Sequence, residues 1–377
     1  NQLNFTKGVL SLFIGNMILA GYAGILGYIG NKAQKSSTDT FKPVFGVKGQ
    51  VISSTIVSLF SLVFISVYSS LVGSMTQSLF NLPSPYIGFA VYLTVIVLIN
   101  LKGFKGMSLF SKIAVPAIGL FIVYGLFVIN RKVGFSNVLE IRPKEAGTFF
   151  SVLSVVAASW MTGATFSSDI VRFLKKPNMV WLVTVGSFIC VTVLETVGLL
   201  CALGTGQSDI VQILASLNMS AVAFIIYLLL TITSGQAVLY IAAQALENIT
   251  KVIRKCDNEK GDGKFTAKFF IIPSCVFAGI IGIIMLTNGF TQTFLSLLNT
   301  IGAAIPPVGG TIVAHFIIVE REYKKTFENM PAYRIEAFIA WILGIIVSQC
   351  VAWGIKPING FVTAAVIYTV IRLIRKK

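Results

Sequence analysis

Eleven stretches of this chain are apolar over roughly the ~20 residues that a helix needs to cross a bilayer. They fall at 7–30, 50–76, 86–101, 110–130, 149–166, 179–203, 221–245, 269–286, 289–318, 335–352 and 360–374. Inside hydrocarbon every backbone polar group must find an internal partner, so repeated spans of this kind fold as helices. With 55% of residues hydrophobic and only 12% charged, the composition lies outside that of soluble domains. The chain is therefore read as an all-α polytopic membrane protein, one transmembrane domain over 1–377 with about 11 spans.

The net charge of +16 does not imply a nucleic-acid partner, because the basic residues sit in short loops between spans. Six alternate loops, 32–48, 102–112, 172–176, 251–268, 321–334 and 372–377, hold 24 of the 30 Lys and Arg residues. Positive loops face the cytoplasm, which places the C-terminus in the cytoplasm and the protein in a cytoplasmic (inner) membrane. Asn1 then falls on the outer side with no span before it, so an odd number of spans is expected upstream. The stretch 7–30 lacks a small-residue cleavage site and is read as a retained span rather than a signal peptide. The polar segment 251–268 is read as a flexible loop. Five cysteines show no CxxC spacing, so neither a disulfide framework nor a metal site is implied.

Enzyme chemistry lacks its parts. No HExxH, GxSxG or P-loop spacing occurs, and the single histidine, His315, stands beside Glu320 and Arg321, where a solvated or capping role is expected. Polar and helix-breaking residues inside the spans are more informative, because freed backbone groups there must be met by water, ions, ligands or neighbouring helices. Three segments qualify: ASWMTGATFSSDIVRF around Gly163, LTITSGQAVLY at 230–240, and NTIGAAIPPVGGTIVAH at 299–315. Each also suits close packing through small residues. Pro306 and Pro307 remove two backbone donors and predict a kink or break. Gly163 marks an expected interruption, with Trp160 and Thr162 facing a ligand. Asp169 and Arg172, three apart, are expected to face each other and close the cytoplasmic end. Glu195 lies near the middle of its span, where a carboxylate is a proton or cation relay or a protonated partner of a neighbouring helix. A hydroxyl pair at Thr233 and Ser234 offers hard oxygen donors suited to sodium, and a planar substrate can stack on the Trp160 indole. Interrupted helices at mid-membrane with such groups are expected of a secondary transporter.

The segments GNMILAGYAGILGYIGNKAQ (15–34), FGVKG (45–49), SKIAVPAIG (111–119), FSSDIVRF (166–173), LENIT (246–250) and AAIPPVGGTIVAHF (303–316) resemble the cytosine-permease branch of the nucleobase-cation symporter family. The resemblance implies twelve spans, the first ten forming two inverted five-helix repeats, with substrate and sodium held between broken first and sixth helices. It also implies that the chain begins after the family's first span. On the family's pattern Trp160 and Thr162 stand where a Phe and a Ser are expected, Phe64 where a stacking Trp is expected, and Ser61 where a Gln is expected. Thr233 and Ser234 keep the sodium-binding hydroxyls. Gly235 replaces the Asn that grips the base, Leu230 replaces another Asn, and Gln236 is the candidate substitute amide. Together these features predict a cation-coupled importer of cytosine or a related nucleobase or planar heterocycle, working by alternating access. The coupling ion is sodium or a proton, and no other cofactor is implied. A truncated, non-transporting remnant or membrane receptor is the alternative.

Overall fold

The computed structural model describes residues 3–141, 147–207, 213, 216, 220–254, 266–288, 290–321, 323, 325–328, 330–351 and 353–375. Within these limits the chain is a bundle of helices: α1 (Phe5–Ala33), α2 (Ser37–Phe45), α3 (Gly49–Phe80), α4 (Tyr86–Leu101), α5 (Phe104–Lys132), α6 (Phe135–Glu140), α7 (Phe149–Ser159), α8 (Met161–Thr165), α9 (Ser167–Val171) and α10 (Asn178–Thr205). There follow α11 (Ser220–Ile253), α12 (Ala267–Asn288), α13 (Phe290–Ala304), α14 (Pro306–Val313), a π-helical turn (Ala314–Val319), a 3-10 turn (Lys325–Phe327), α15 (Ile335–Cys350) and α16 (Lys356–Arg375). Among the described residues eight helices are long and apolar enough to cross a membrane, and the shorter Tyr86–Leu101, Phe149–Ser159 and Ile335–Cys350 are apolar as well. Part of the expected loop, 255–265, lies outside the described residues, and Cys256 lies there too.

Three apolar cores set the packing. The first joins α1, α2 and α8 to α14–α16 through Leu19, Phe41, Met161, Phe316, Trp341 and Tyr368. The second joins α3, α4, α11 and α12 through Leu62, Tyr92, Leu239 and Ala278. A third lies among α5, α6 and α10, around Ile129, Val138 and Leu200. Outward, the helices present bare apolar side chains: Leu120 and Leu182 are 72% and 74% exposed, as lipid-facing positions should be. Because lipid is as apolar as leucine, hydroxyls rather than hydrophobicity help to fix helix against helix. On α3, Ser66 donates to the Ala278 carbonyl at 2.6 Å and Ser70 to that of Gly282 at 3.1 Å, tying α3 to α12.

Several basic loops gather at one end of the bundle. Asn31 donates to the carbonyls of Val171 and Leu174, both at 2.9 Å. The N–H groups of Val47 and Lys48 donate to Pro331 and Ala332, and that of Arg334 returns to Phe45, each at 2.9 Å. Asn248 donates to Thr38 at 2.6 Å. At the same end Arg372 pairs with Glu320 at 2.7 Å and Arg375 with Glu336 at 2.9 Å, tying the last helix to the π-helical turn's end and to α15.

Two sequence expectations are corrected here. His315 is fully buried rather than solvated: its Nδ1 hydrogen-bonds the Tyr368 hydroxyl at 2.8 Å and its Nε2 that of Thr326 at 2.9 Å. The π-helical turn, one residue wider than an α-turn, carries His315 inward. Asp169 makes no close ion pair with Arg172 among the described residues, although the Arg172 charge still acts on its carboxyl. Asp169 accepts from the Ser37 N–H at 3.4 Å, at the first turn of α2, while the Arg172 guanidinium lies over the Phe173 ring at 4.8 Å. Burial pushes the Asp169 carboxyl up to about 6.

Candidate functional site

The segment 158–173 is interrupted twice, and neither break falls at Gly163. α7 stops at Ser159 because Trp160 leaves the helical region (φ −120°, ψ 11°), and a second offset occurs at Phe166 (φ −92°, ψ 14°). Gly163 lies inside the short α8. Its missing side chain has another use: a Cβ there would collide with the Trp160 indole, which folds back over it. Pro306 and Pro307 open α14, with the change of helix at Ile305, as two missing donors dictate.

The hydroxyls of this segment divide into two sets. Thr165 hydrogen-bonds the Tyr22 hydroxyl at 2.8 Å, Ser167 donates to the Ala23 carbonyl at 2.8 Å, and Ser168 to that of Leu26 at 2.9 Å. These three stitch the broken helix to α1. Thr162 is different: it is 1% exposed, and its Oγ1 has no hydrogen-bond partner among the described residues. A buried hydroxyl left unpaired costs roughly 1–3 kcal/mol unless something else meets it.

Thr162 lines a cavity together with Trp160, Gly163 and Phe166 of the broken helix, Ser61, Phe64 and Tyr68 of α3, and Val238 and Ile241 of α11. The space left between these side chains admits about one water-sized sphere, so the cavity is closed in this structure. A larger, more open pocket lies between α1 and α16, lined by Met17, Tyr22, Met161 and Phe361 among others. Its polar group, the Tyr22 hydroxyl, is already bonded to Thr165. The smaller cavity therefore has the stronger claim to a polar ligand.

The structure thus brings Ser61, Phe64, Trp160, Thr162 and Gly163 to one cavity. Thr233 and Ser234 stand nearby on α11, Ser234 one turn before Val238; the Thr233 hydroxyl donates to the Leu230 carbonyl at 2.7 Å. Gly235 and Gln236 are not among the lining residues. A Cβ on Gly235 would collide with the hydroxyl of Tyr92, which fills that space and donates to the Thr231 carbonyl at 2.7 Å. Glu195 lies away from the cavity, on α10, where it accepts from Asn16 of α1 at 2.6 Å; the same amide donates to Thr192 at 3.1 Å. Sequence reasoning missed Tyr68 and Asn16. Tyr68 was legible in principle, since 61, 64 and 68 share one helical face.

A membrane-spanning helical bundle with an interrupted helix presenting an unpaired polar group to an inner aromatic cavity has the architecture of a secondary transporter. A family model for permeases of cytosine/purines, uracil, thiamine and allantoin matches residues 1–370. The chain belongs to this family of membrane permeases. The cytosine permease of Escherichia coli (strain K12) is 27% identical over 98% of this chain and 84% of its own length. Among solved structures, the nucleobase-cation-symport-1 transporter Mhp1 in a closed conformation with bromovinylhydantoin bound superposes with a TM-score of 0.78 at 14% identity, covering 100% of this chain and 87% of its own. Mhp1 in an inward-facing conformation gives 0.76 at 16% identity, over 100% and 85%. A Na+-coupled sialic acid symporter in a substrate-bound outward-open state gives 0.67 at 13%, over 99% and 90%. Matches of this extent lend no support to the remnant alternative.

Proposed function

We propose that this permease imports cytosine or a related planar nucleobase or heterocycle, driven by a cation gradient and working by alternating access across the cytoplasmic (inner) membrane with its C-terminus inside. The unpaired Thr162 hydroxyl inside an aromatic-walled cavity carries the reading. A flat ring stacked between Trp160 and Phe64 gives Thr162 its missing partner, and Ser61 supplies a second polar contact. Sodium is the preferred coupling ion: Thr233 and Ser234 offer adjacent hydroxyl oxygens within one turn of the cavity wall. The cytosine permease relative and the hydantoin bound in Mhp1 support a planar ring of this class.

Thr162→Val provides the test in proteoliposomes given an inward sodium gradient and labelled cytosine. Because Thr162 Oγ1 has no hydrogen-bond partner among the described residues, the variant is expected to keep its thermal stability while half-saturation rises about 3–10-fold, the worth of one neutral hydrogen bond. Unchanged half-saturation in an active protein sinks the assignment of Thr162.

A second reading, proton coupling, is favoured by one observation. Asn16, 1% exposed, directs its amide N–H to Glu195 across the α1–α10 seam, while its own Oδ1 has no hydrogen-bond partner among the described residues. A carboxyl so placed exchanges a proton without disturbing the substrate cavity.

A further inference from the structure

The face of α3 that lines the cavity with Ser61, Phe64 and Tyr68 continues past it. At about 100° per residue, positions 50, 54 and 58 fall on the same face, about 16, 10 and 5 Å from Ser61 toward the end where the basic loops gather. They are Gln50, Ser54 and Ser58, each 2% exposed or less. Their flanks belong to different cores: Ile56 and Phe60 pack against the first, while Leu62 and Ile65 lie in the second. The polar stripe therefore follows the seam between the two cores. Two of its atoms are unmet. Ser54 donates to Gln50 Oε1 at 3.3 Å, and the other end of that amide, Nε2, has no hydrogen-bond partner among the described residues. Ser58 Oγ has none either, although a helical serine can bond the carbonyl four residues back, as Ser66 and Ser70 do. On α11, Gln244 lies one turn beyond Ile241; it donates to the Tyr240 hydroxyl at 2.9 Å and leaves Oε1 unpaired. Apolar side chains would pack such a seam without burying unmet polar atoms.

We propose that Gln50 and Ser58 form a second substrate station, by which a planar heterocycle leaves the cavity for the cytoplasm. This rests on the importer reading above. When the seam parts at its inner end, Gln50 Nε2 and the Ser58 O–H are donors for a carbonyl oxygen or ring nitrogen, and Gln244 Oε1 is an acceptor for a ring N–H. From Ser61 the polar groups of α3 recur about every 5–6 Å, close to the width of one heterocyclic ring. Each hydrogen bond given up at Thr162 and Ser61 is thus replaced before the ring reaches water, and no polar edge is left unmet inside the membrane. The station also selects by chemistry: a flat ring without acceptor atoms can fill the cavity but gains nothing along the seam.

The test is transport by the full chain in proteoliposomes of known orientation, with labelled cytosine, uracil and allantoin as probes and sodium equal on both sides. The double variant Gln50→Met, Ser58→Ala removes both donors, methionine being apolar and adaptable in shape. For a probe that wild type transports, its maximal uptake rate is expected to fall about 3–10-fold and its internal half-saturation for efflux to rise by a similar factor. External half-saturation should stay within about twofold of wild type, because the cavity itself is untouched. Thr162→Val gives the opposite split, its loss being felt from outside. Ser69→Ala removes a buried α3 hydroxyl beyond the cavity, one that donates to the Ser66 carbonyl at 3.0 Å, and should change neither side. Unchanged uptake and efflux in the folded double variant overturn the proposal. So does an equal fall in S69A, which marks a general packing effect, or a rise in external half-saturation, which assigns the two donors to the cavity. If the double variant does not fold, Ser58→Ala alone is read in the same way. Transport of none of the probes by wild type removes the importer reading and this inference together; transport that survives intact in the variant removes only the inference.

Discussion

At the scale of single residues, a substitution read along the sequence and the same substitution read in space have different meanings. Gly235 stands where the family places an Asn, and in sequence it reads as a lost grip on the base. In the structure the Tyr92 hydroxyl occupies the space of the missing side chain, from a helix remote in sequence. Nothing near position 235 announces that exchange, so the departure was legible and its compensation was not. Restoring a side chain is then a packing error. Gly235→Ala is expected to lose about 1–3 kcal/mol by overpacking, and Tyr92→Phe, which removes the colliding oxygen, is expected to recover part of it. Thermal unfolding of the two singles and the double variant measures the coupling. Additive losses would show that Tyr92 and Gly235 do not share the space. The hydroxyls of 162–168 teach a related lesson: composition showed that they collect there, but only their partners separate Thr165, Ser167 and Ser168, which bind α1, from Thr162, which faces the cavity.

At the scale of elements, spans were legible because hydropathy is a sum over many residues, whereas a break depends on one or two dihedral angles. The interruption expected at Gly163 falls at Trp160 and Phe166, non-glycine residues whose backbones stay within ordinary negative φ. Glycine marked a place of close approach instead. The cap at the start of α2 was equally hidden, since the 132-residue separation between Ser37 and Asp169 appears only once α9 lies against α2. That contact has a pH signature. Burial raises the folded-state value of Asp169 from 3.8 to about 6, so between about pH 4 and 6 the folded chain holds more of this proton than the unfolded one. Stability contributed by this group is then full at low pH and is lost as pH rises through about 6. Relative to Asp169→Asn, which cannot titrate, wild type should lose up to about 3 kcal/mol between pH 4 and pH 7. Unfolding of both proteins in detergent at the two pH values reads the difference. A relative stability that rises with pH would mean that the Ser37 N–H stabilises the charged carboxylate by more than burial costs it.

At the scale of the whole molecule, the second core holds α3 to α11, while α1 runs along α10 and the broken helix is stitched to α1 by hydroxyls. The cavity proposed for the substrate lies where these two groups meet, with Phe64, Tyr68 and Val238 on one side and Trp160 and Thr162 on the other. Motion of one group against the other opens and closes such a cavity without breaking either set of internal contacts. The Asn16–Glu195 hydrogen bond lies within the second group, whereas the proposed sodium hydroxyls of Thr233 and Ser234 stand on α11 in the first. Sodium and proton effects should therefore separate by mutation. Glu195→Gln keeps the size of the side chain and removes its charge; it is expected to leave sodium-driven cytosine uptake within about threefold of wild type while flattening any dependence of uptake on pH. Initial rates in proteoliposomes from pH 5.5 to 8, with the sodium gradient held fixed, measure both. A pH profile identical to wild type takes Glu195 out of the mechanism and leaves its bond to Asn16 as helix packing. Loss of sodium-driven uptake in a folded variant would instead make the carboxylate part of the driving step, and the two groups of helices would then answer to one ion rather than two.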